Sequence, residues 1–292
     1  MSTSSFAPPA KGFAKRLSLC NEVIGDLPFD RQCALAAALG YAGLEVAPFT
    51  LADDPTTISD RDAIQLRAVA ADHGLAISGL HWLLVKPAGF SMTSPDASTR
   101  HRTARWMVRC VELCALMGGD YLVHGSGKQR SVWPGQSHAE ALALATECWA
   151  EAGVAATQAG VQYCVEPLSV DQTSIINTVE QGMAVVRIIN QPGLRTMLDT
   201  CSGGKTEALP LDQVIDRHWP SGLLTHIQFN DRNLRAPGQG DDRFAPIVQA
   251  LARQSYRGWL AVEPFDYQPD GPGSAAFAAG YLRGTLQALG LD

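Results

Sequence analysis

Carboxylate and imidazole side chains recur at the ends of short apolar runs. Tyr-Cys-Val-Glu closes on Glu166, Thr-Met-Leu-Asp on Asp199 and Leu-Ala-Val-Glu on Glu263, while the run Leu223–Gln228 carries His226. A carboxylate at the edge of a core must be protonated, paired or bound to a cation. Taken singly, each of these residues could cap a strand or meet a loop arginine. Taken together, three carboxylates and one imidazole from four successive runs make a hard, oxygen-rich ligand set. It suits one divalent ion, Mn²⁺ first, with Co²⁺, Mg²⁺ and Zn²⁺ as alternatives. Glu45, His81 and His124 lie at or near the ends of three further runs. His81 and His124 are expected to hydrogen-bond substrate hydroxyls, and Trp82 to offer an aromatic face to them. In the loop after His124, Lys128 and Arg130 read as a solvated face, with an anion clamp as the alternative.

These residues need elements to position them. Strand-like runs fall at Leu17–Cys20, Gly43–Ala47, Ala76–Leu80, Tyr121–His124, Gln162–Glu166, Arg195–Asp199, Leu223–Gln228 and Trp259–Glu263. Helical patterns lie between them, at 29–39, 59–73, 98–117, 137–158, 173–190, 210–218, 243–254 and 273–289. Ser59 with Asp62 and Ser137 with Glu140 have capping-box spacing. Gly40, Gly74, Gly118 and Gly160 stand where helices should stop. Strict alternation implies parallel strands joined by right-handed crossovers. Eight such units predict a (β/α)8 barrel, whose active site forms at the C-terminal ends of its strands. An open doubly wound sheet is the alternative, but the turn after the first strand, Asn21 to Gly25, has no G-x-G-x-x-G. Residues 1–14 are expected to be a disordered tail and 15–292 a single barrel domain.

Composition narrows the function classes. The 292 residues are 46% hydrophobic and 18% charged, enough apolar material for a large core. With 29 acids against 23 bases the formal charge is −6, which disfavours nucleic acid as a partner. No apolar run approaches the ~18–20 residues of a membrane span, and no secretory apolar segment is expected. The seven cysteines show no C-x-x-C pair, so neither a disulfide framework nor a thiolate zinc site is expected, and a cytoplasmic location is.

From Leu17 to about Leu289 the chain resembles the xylose-isomerase-like barrels, in the branch of sugar isomerases and epimerases that includes the D-tagatose and D-psicose 3-epimerases. The resemblance rests on Val165-Glu166-Pro167-Leu168 with Ile176-Asn177-Thr178, Leu198-Asp199-Thr200, the segment His226 to Arg232, and Val262-Glu263-Pro264. It implies one divalent metal on Glu166, Asp199, His226 and Glu263, with Glu166 and Glu263 also the acid/base pair. It implies that Arg232, six residues past His226, contacts substrate oxygens, and it favours a homodimer or homotetramer. Two positions depart. Ser202 stands where the epimerases have a substrate-binding His, and Gln172 where they have a second Glu. Endonuclease IV shares the barrel, and His81 and His124 match two of its zinc positions. Ser202 and the Asp241-Asp242-Arg243 loop lack the other histidines that its trinuclear centre needs.

The expected reaction is proton abstraction next to a carbonyl, through an enediolate, by a metal-dependent isomerase or epimerase of a sugar or keto-sugar. A metal-dependent lyase or hydratase on a keto-sugar or keto-glycoside is the alternative, ahead of a nuclease or a non-catalytic sugar-binding barrel.

Overall fold

The computed structural model describes residues 12–292. Eight parallel strands close on themselves in chain order: β1 (Leu17–Cys20), β2 (Gly43–Val46), β3 (Ala76–Leu80), β4 (Tyr121–His124), β5 (Gln162–Val165), β6 (Leu194–Asp199), β7 (Leu224–Phe229) and β8 (Leu260–Val262). The strand β8 pairs back onto β1, Leu17 facing Leu260. The helices are α1 (Phe29–Leu39), α2 (Asp60–Asp72), α3 (Ala97–Met117), α4 (His138–Ala159), α5 (Val179–Ile189), α6 (Thr200–Thr206), α7 (Leu211–His218), α8 (Ala245–Arg253) and α9 (Gly271–Ala288). Both capping boxes form, Ser59 with Asp62 and Ser137 with Glu140. Gly40, Gly118 and Gly160 close α1, α3 and α4 in the left-handed conformation, which costs glycine no Cβ clash.

Small shifts aside, three features depart from the expectation. Of the expected tail, residues 1–11 lie outside the described residues. At 12–14 the chain is already structured: Phe13 is buried, and its N–H donates to Leu291 O at 3.2 Å, tying the start of the barrel to its end. The helix α5 begins at Val179, because the Asn177 side chain donates to Leu168 O and Thr173 O and so holds residues 173–178 as a loop. The short helix α6 has no counterpart in the sequence pattern. It forms because the Asp199 carboxylate caps it, accepting from Ser202 N–H at 2.7 Å.

Side chains alternate between the inside of the barrel and its outer wall. Tyr121, Val123, Cys164 and Met197 pack together within the barrel. Their neighbours Leu122, Tyr163, Val165 and Leu198 join the larger core between strands and helices. The wall beside β4 and β5 is built on Trp149 of α4. Its fully buried ring meets His124 edge-on at 5.9 Å, and the Arg130 guanidinium lies 6.0 Å from it. Trp149→Ala would leave a large cavity and should cost ~3–5 kcal/mol in urea unfolding. A loss under ~1 kcal/mol would mean that the wall does not depend on this ring.

Candidate active site

Three carboxylates meet at the C-terminal end of the barrel. Glu166 follows β5, Asp199 ends β6 and Glu263 follows β8. One oxygen from each lies within 4.8 Å of the others, and all three residues are at most 6% exposed. Local structure makes the room. A Cβ on Gly125, just past β4, would sit 2.3 Å from Glu166 Oε2, so only glycine admits that carboxylate as it stands. Asp199 is oriented by its capping bond through Oδ1, and its Oδ2 is buried without a partner.

His226 does not join this cluster, which corrects the expectation for it. Its ring sits deeper in the barrel, against Tyr121 at 3.8 Å between centroids, with Nε2 3.3 Å from Glu45 Oε2. It also borders a cavity shared with Arg16, Gly160 and Trp259, at the opposite end from the carboxylates. The residue of β7 in register with Asp199 is Gln228, two positions on, about 6–7 Å further along the strand. Gln228 is fully buried. Its Nε2 donates to Glu45 Oε1 at 2.6 Å, and its Oε1 has no partner. The sequence signal that could have found it is the strand period of two, which puts 226 and 228 on one face.

Around the mouth, a cavity of 50 Å³ is lined by His81, Trp82, Gln172 and Phe265 together with Glu166 and Glu263. His81 is held by Glu22, which the sequence reading did not single out, with Nε2 to Oε2 at 2.6 Å; the same nitrogen is 4.0 Å from Glu263 Oε1. Burial pulls the His81 pKa down, but the charge and hydrogen bond of Glu22, with the charge of Glu45, carry it above its ordinary value. Trp82 lies between Phe49 and Phe265, edge to face with each.

Four other expectations are corrected or qualified. His124 lies behind the barrel wall, because its strand position faces outward: Nδ1 meets the Tyr163 hydroxyl at 2.6 Å and the ring packs on Trp149. Arg232 is drawn to Asp242, with Nε to Oδ1 at 2.6 Å. It lines a separate cavity of 290 Å³ with Gly204 and Phe244 rather than the mouth. Ser202 touches Asp199 through its backbone N–H. Arg130 is no solvated loop residue. It is fully buried and donates from Nη2 to Glu166 O at 2.7 Å. Burial pushes its pKa down to about 10, against the pull of the nearby Glu166.

Burial and mutual repulsion act on all three acids. Burial, then the charge of Asp199, pushes the Glu166 pKa well up, with Arg130 opposing. Burial, then Glu166, Glu22, Asp199 and Glu45, does the same to Glu263. Burial raises Asp199 to about 6 despite its hydrogen bonds from Ser202 and Asn230. Three acids held in reach of one point, with unpartnered oxygens on Asp199 and Gln228, fit a divalent cation.

A closed (β/α)8 barrel with an acidic cluster at the C-terminal ends of its strands defines the class. The chain belongs to the xylose isomerase-like TIM barrel family, whose model matches residues 33–284. It is 27% identical over 237 residues to a D-psicose 3-epimerase of Agrobacterium fabrum, covering 78% of this chain and 76% of that one. It is 26% identical to a D-psicose 3-epimerase of Ruminiclostridium cellulolyticum, covering 78% and 75%. A crystal structure of D-psicose 3-epimerase in the presence of D-fructose superposes with a TM-score of 0.77 at 21% identity, covering 93% of this chain and 99% of that one. Among the described residues, no helix is long and apolar enough to cross a membrane.

The raised acids set the pH dependence of the metal-free protein. An acid whose pKa is higher folded than unfolded takes up protons on folding. It favours the fold below its unfolded pKa of ~4 and loses that contribution as pH rises through the folded value. For Asp199 that loss runs from ~4 through about 6, and Glu166 and Glu263 extend it upward. The melting temperature of EDTA-treated protein should therefore fall as pH rises above ~5, and less steeply in Asp199→Asn. Calorimetry across that range checks this; a slope unchanged by Asp199→Asn would show that the cluster does not titrate with folding.

Proposed function

We propose that the protein is a divalent-metal-dependent isomerase or epimerase of sugar-type α-hydroxy-carbonyl compounds, with Glu166 and Glu263 as its acid/base pair. The observation that carries this reading is the meeting of these two buried glutamates with Asp199 around one point beside the mouth cavity. The names of the relatives, psicose 3-epimerases, support the reaction class. Glu166, Asp199, Gln228 and Glu263 would hold the ion. Once bound, it supplies Lewis-acid stabilisation of the negative charge that develops on the carbonyl oxygen.

The protein's own groups do the rest. One glutamate takes the proton from the carbon next to the carbonyl. The other returns a proton from the opposite face, which inverts that carbon, or to the neighbouring carbon, which moves the carbonyl. His81, held by Glu22 at Nε2 and facing Glu45 at Nδ1, forms a fixed wall beside the substrate. Trp82 and Phe265 pack on the C–H face of the substrate and keep water from the reacting carbon. Gln172 contributes a neutral amide at the rim.

Recognition differs from that of the free-ketohexose enzymes. Ser202 and Gln172 replace two of their substrate contacts, and Arg232 is committed to Asp242. The offset of six residues, counted from Gln228, leads to Leu234. The family's arginine contact is thus missing as well, and the substrate is a keto compound read by the His81, Trp82 and Gln172 side. A cytosolic location and a dimeric or tetrameric state accompany this reading.

The test is exchange with solvent. With a panel of keto-sugars and keto-glycosides in D₂O, the unaltered protein with added Mn²⁺ should place deuterium next to the carbonyl. Glu166→Gln and Glu263→Gln should each lose turnover by ~10²-fold or more, since an amide cannot accept that proton. Metal analysis should give close to one equivalent per chain. Full turnover in both variants with metal bound would remove these residues from the chemistry.

A further inference from the structure

Glu45 has no part in the chemistry above, yet five side chains approach its carboxylate inside the barrel. It is fully buried on β2. Tyr121 donates its hydroxyl to Oε2, and His226 Nε2 approaches the same oxygen at 3.3 Å. At Oε1 it receives Gln228 Nε2 at 2.6 Å and the Cys20 thiol at 3.4 Å, with His81 Nδ1 also at 3.4 Å. A carboxylate accepts and never donates, so a carboxylate held here can meet only the nitrogen end of the Gln228 amide.

From this geometry we infer that Glu45 is a positioning residue that fixes the Gln228 amide with its nitrogen inward, and so leaves its oxygen free for a cation at the Glu166–Asp199–Glu263 cluster. The inference rests on the metal reading proposed above and deepens it. An amide with no such anchor can rotate and offer either end at little cost. With the nitrogen committed to Glu45, the fourth donor is an oxygen, and the whole set becomes one amide and three carboxylate oxygens. Such a set suits Mn²⁺ or Mg²⁺, and it forgoes the imidazole that favours Co²⁺ and Zn²⁺. Tyr121 and His226 act at one remove, because they hold the Oε2 side of Glu45 and so aim its Oε1 at Gln228.

The experiment is calorimetric titration of metal-free full-length protein with MnCl₂ and with ZnCl₂. Glu45→Gln replaces the carboxylate by an amide that can pair with Gln228 in either sense, and Mn²⁺ affinity should fall at least ~10-fold. Gln228→Leu should fall by as much. The double variant should be no worse than Gln228→Leu alone, since Glu45 acts through that amide. Additive losses would instead mark Glu45 as a distant charge acting on the ion directly and would overturn the inference, as would an unchanged Mn²⁺ affinity in Glu45→Gln. Tyr121→Phe keeps the carboxylate and removes one of its anchors. It should weaken Mn²⁺ in the same direction, and it decides the matter if Glu45→Gln does not fold. Gln228→His should raise the Zn²⁺ to Mn²⁺ affinity ratio; a ratio left unchanged would mean that position 228 supplies no ligand. Metal binding by the unaltered protein that is insensitive to Asp199→Asn, or no binding at all, would strike down the metal centre itself and this inference with it. Loss confined to the Asp199→Asn variant would leave the centre standing and remove only the role of Glu45.

Discussion

The structure turns on the burial of negative charge at one end of the barrel. Three carboxylates share a point within 4.8 Å of one another and are almost sealed from water. At an effective dielectric near 20, each ionised pair at that spacing repels by about 3–4 kcal/mol. The surroundings relieve this only in part. Arg130 approaches Glu166, but it donates to the backbone carbonyl from behind the wall. The three groups are therefore left with protons or with a cation, and their raised pKa values express that choice. Gly125 keeps the space that Glu166 occupies, and the start of α6 fixes the rotamer of Asp199.

Beneath the cluster the barrel is filled in part by polar groups, where apolar ones would give a more stable plug. The Ser18 and Ser78 hydroxyls lie 2.7 Å apart, and Tyr121, Glu45, His226, Gln228 and Cys20 form one connected set. Buried networks of this kind are strong when satisfied and costly when broken, so they hold their members in one arrangement. Two irregularities in strand register border this set, one between Leu44 and Glu45 and one between Thr196 and Met197. A register irregularity changes the height at which a side chain enters the barrel. The polar column thus links the fixed framework of the strands to the donors at the mouth.

The mouth divides its labour differently from the barrel below. Its walls are aromatic, with Trp82 braced by Phe49 and Phe265, and its polar groups are few: the Glu22–His81 pair and Gln172. The segments after β6 and β7 are tied by internal bonds, the Ser202 backbone N–H to Asp199 and the Arg232 side chain to Asp242. In a barrel of this kind the strand ends hold the acid cluster and the loops shape the rim around it.

The sequence by itself determined the alternation of eight strands with helices, the capped helix starts and the glycine stops, and it favoured the closed barrel over an open sheet. It also determined that Glu166, Asp199 and Glu263 share one end, because each is the terminal polar residue of an apolar run. These are local properties, carried by periodicity and caps within one element. Tertiary structure alone decided the rest. The period of two places His226 and Gln228 on one face of β7 but says nothing of height, which depends on the stagger between strands, and that stagger put Gln228 beside Asp199. His124 ends its run as Glu166 does, yet its parity on β4 turns it to Trp149 and the outer wall. Arg130 and Arg232 lie in loops with no period at all. Their direction was settled by partners distant in sequence or beyond the loop's own pattern, the Glu166 carbonyl for one and the Asp242 carboxylate for the other, because a long flexible cation goes to whichever fixed acceptor the folded chain brings within reach.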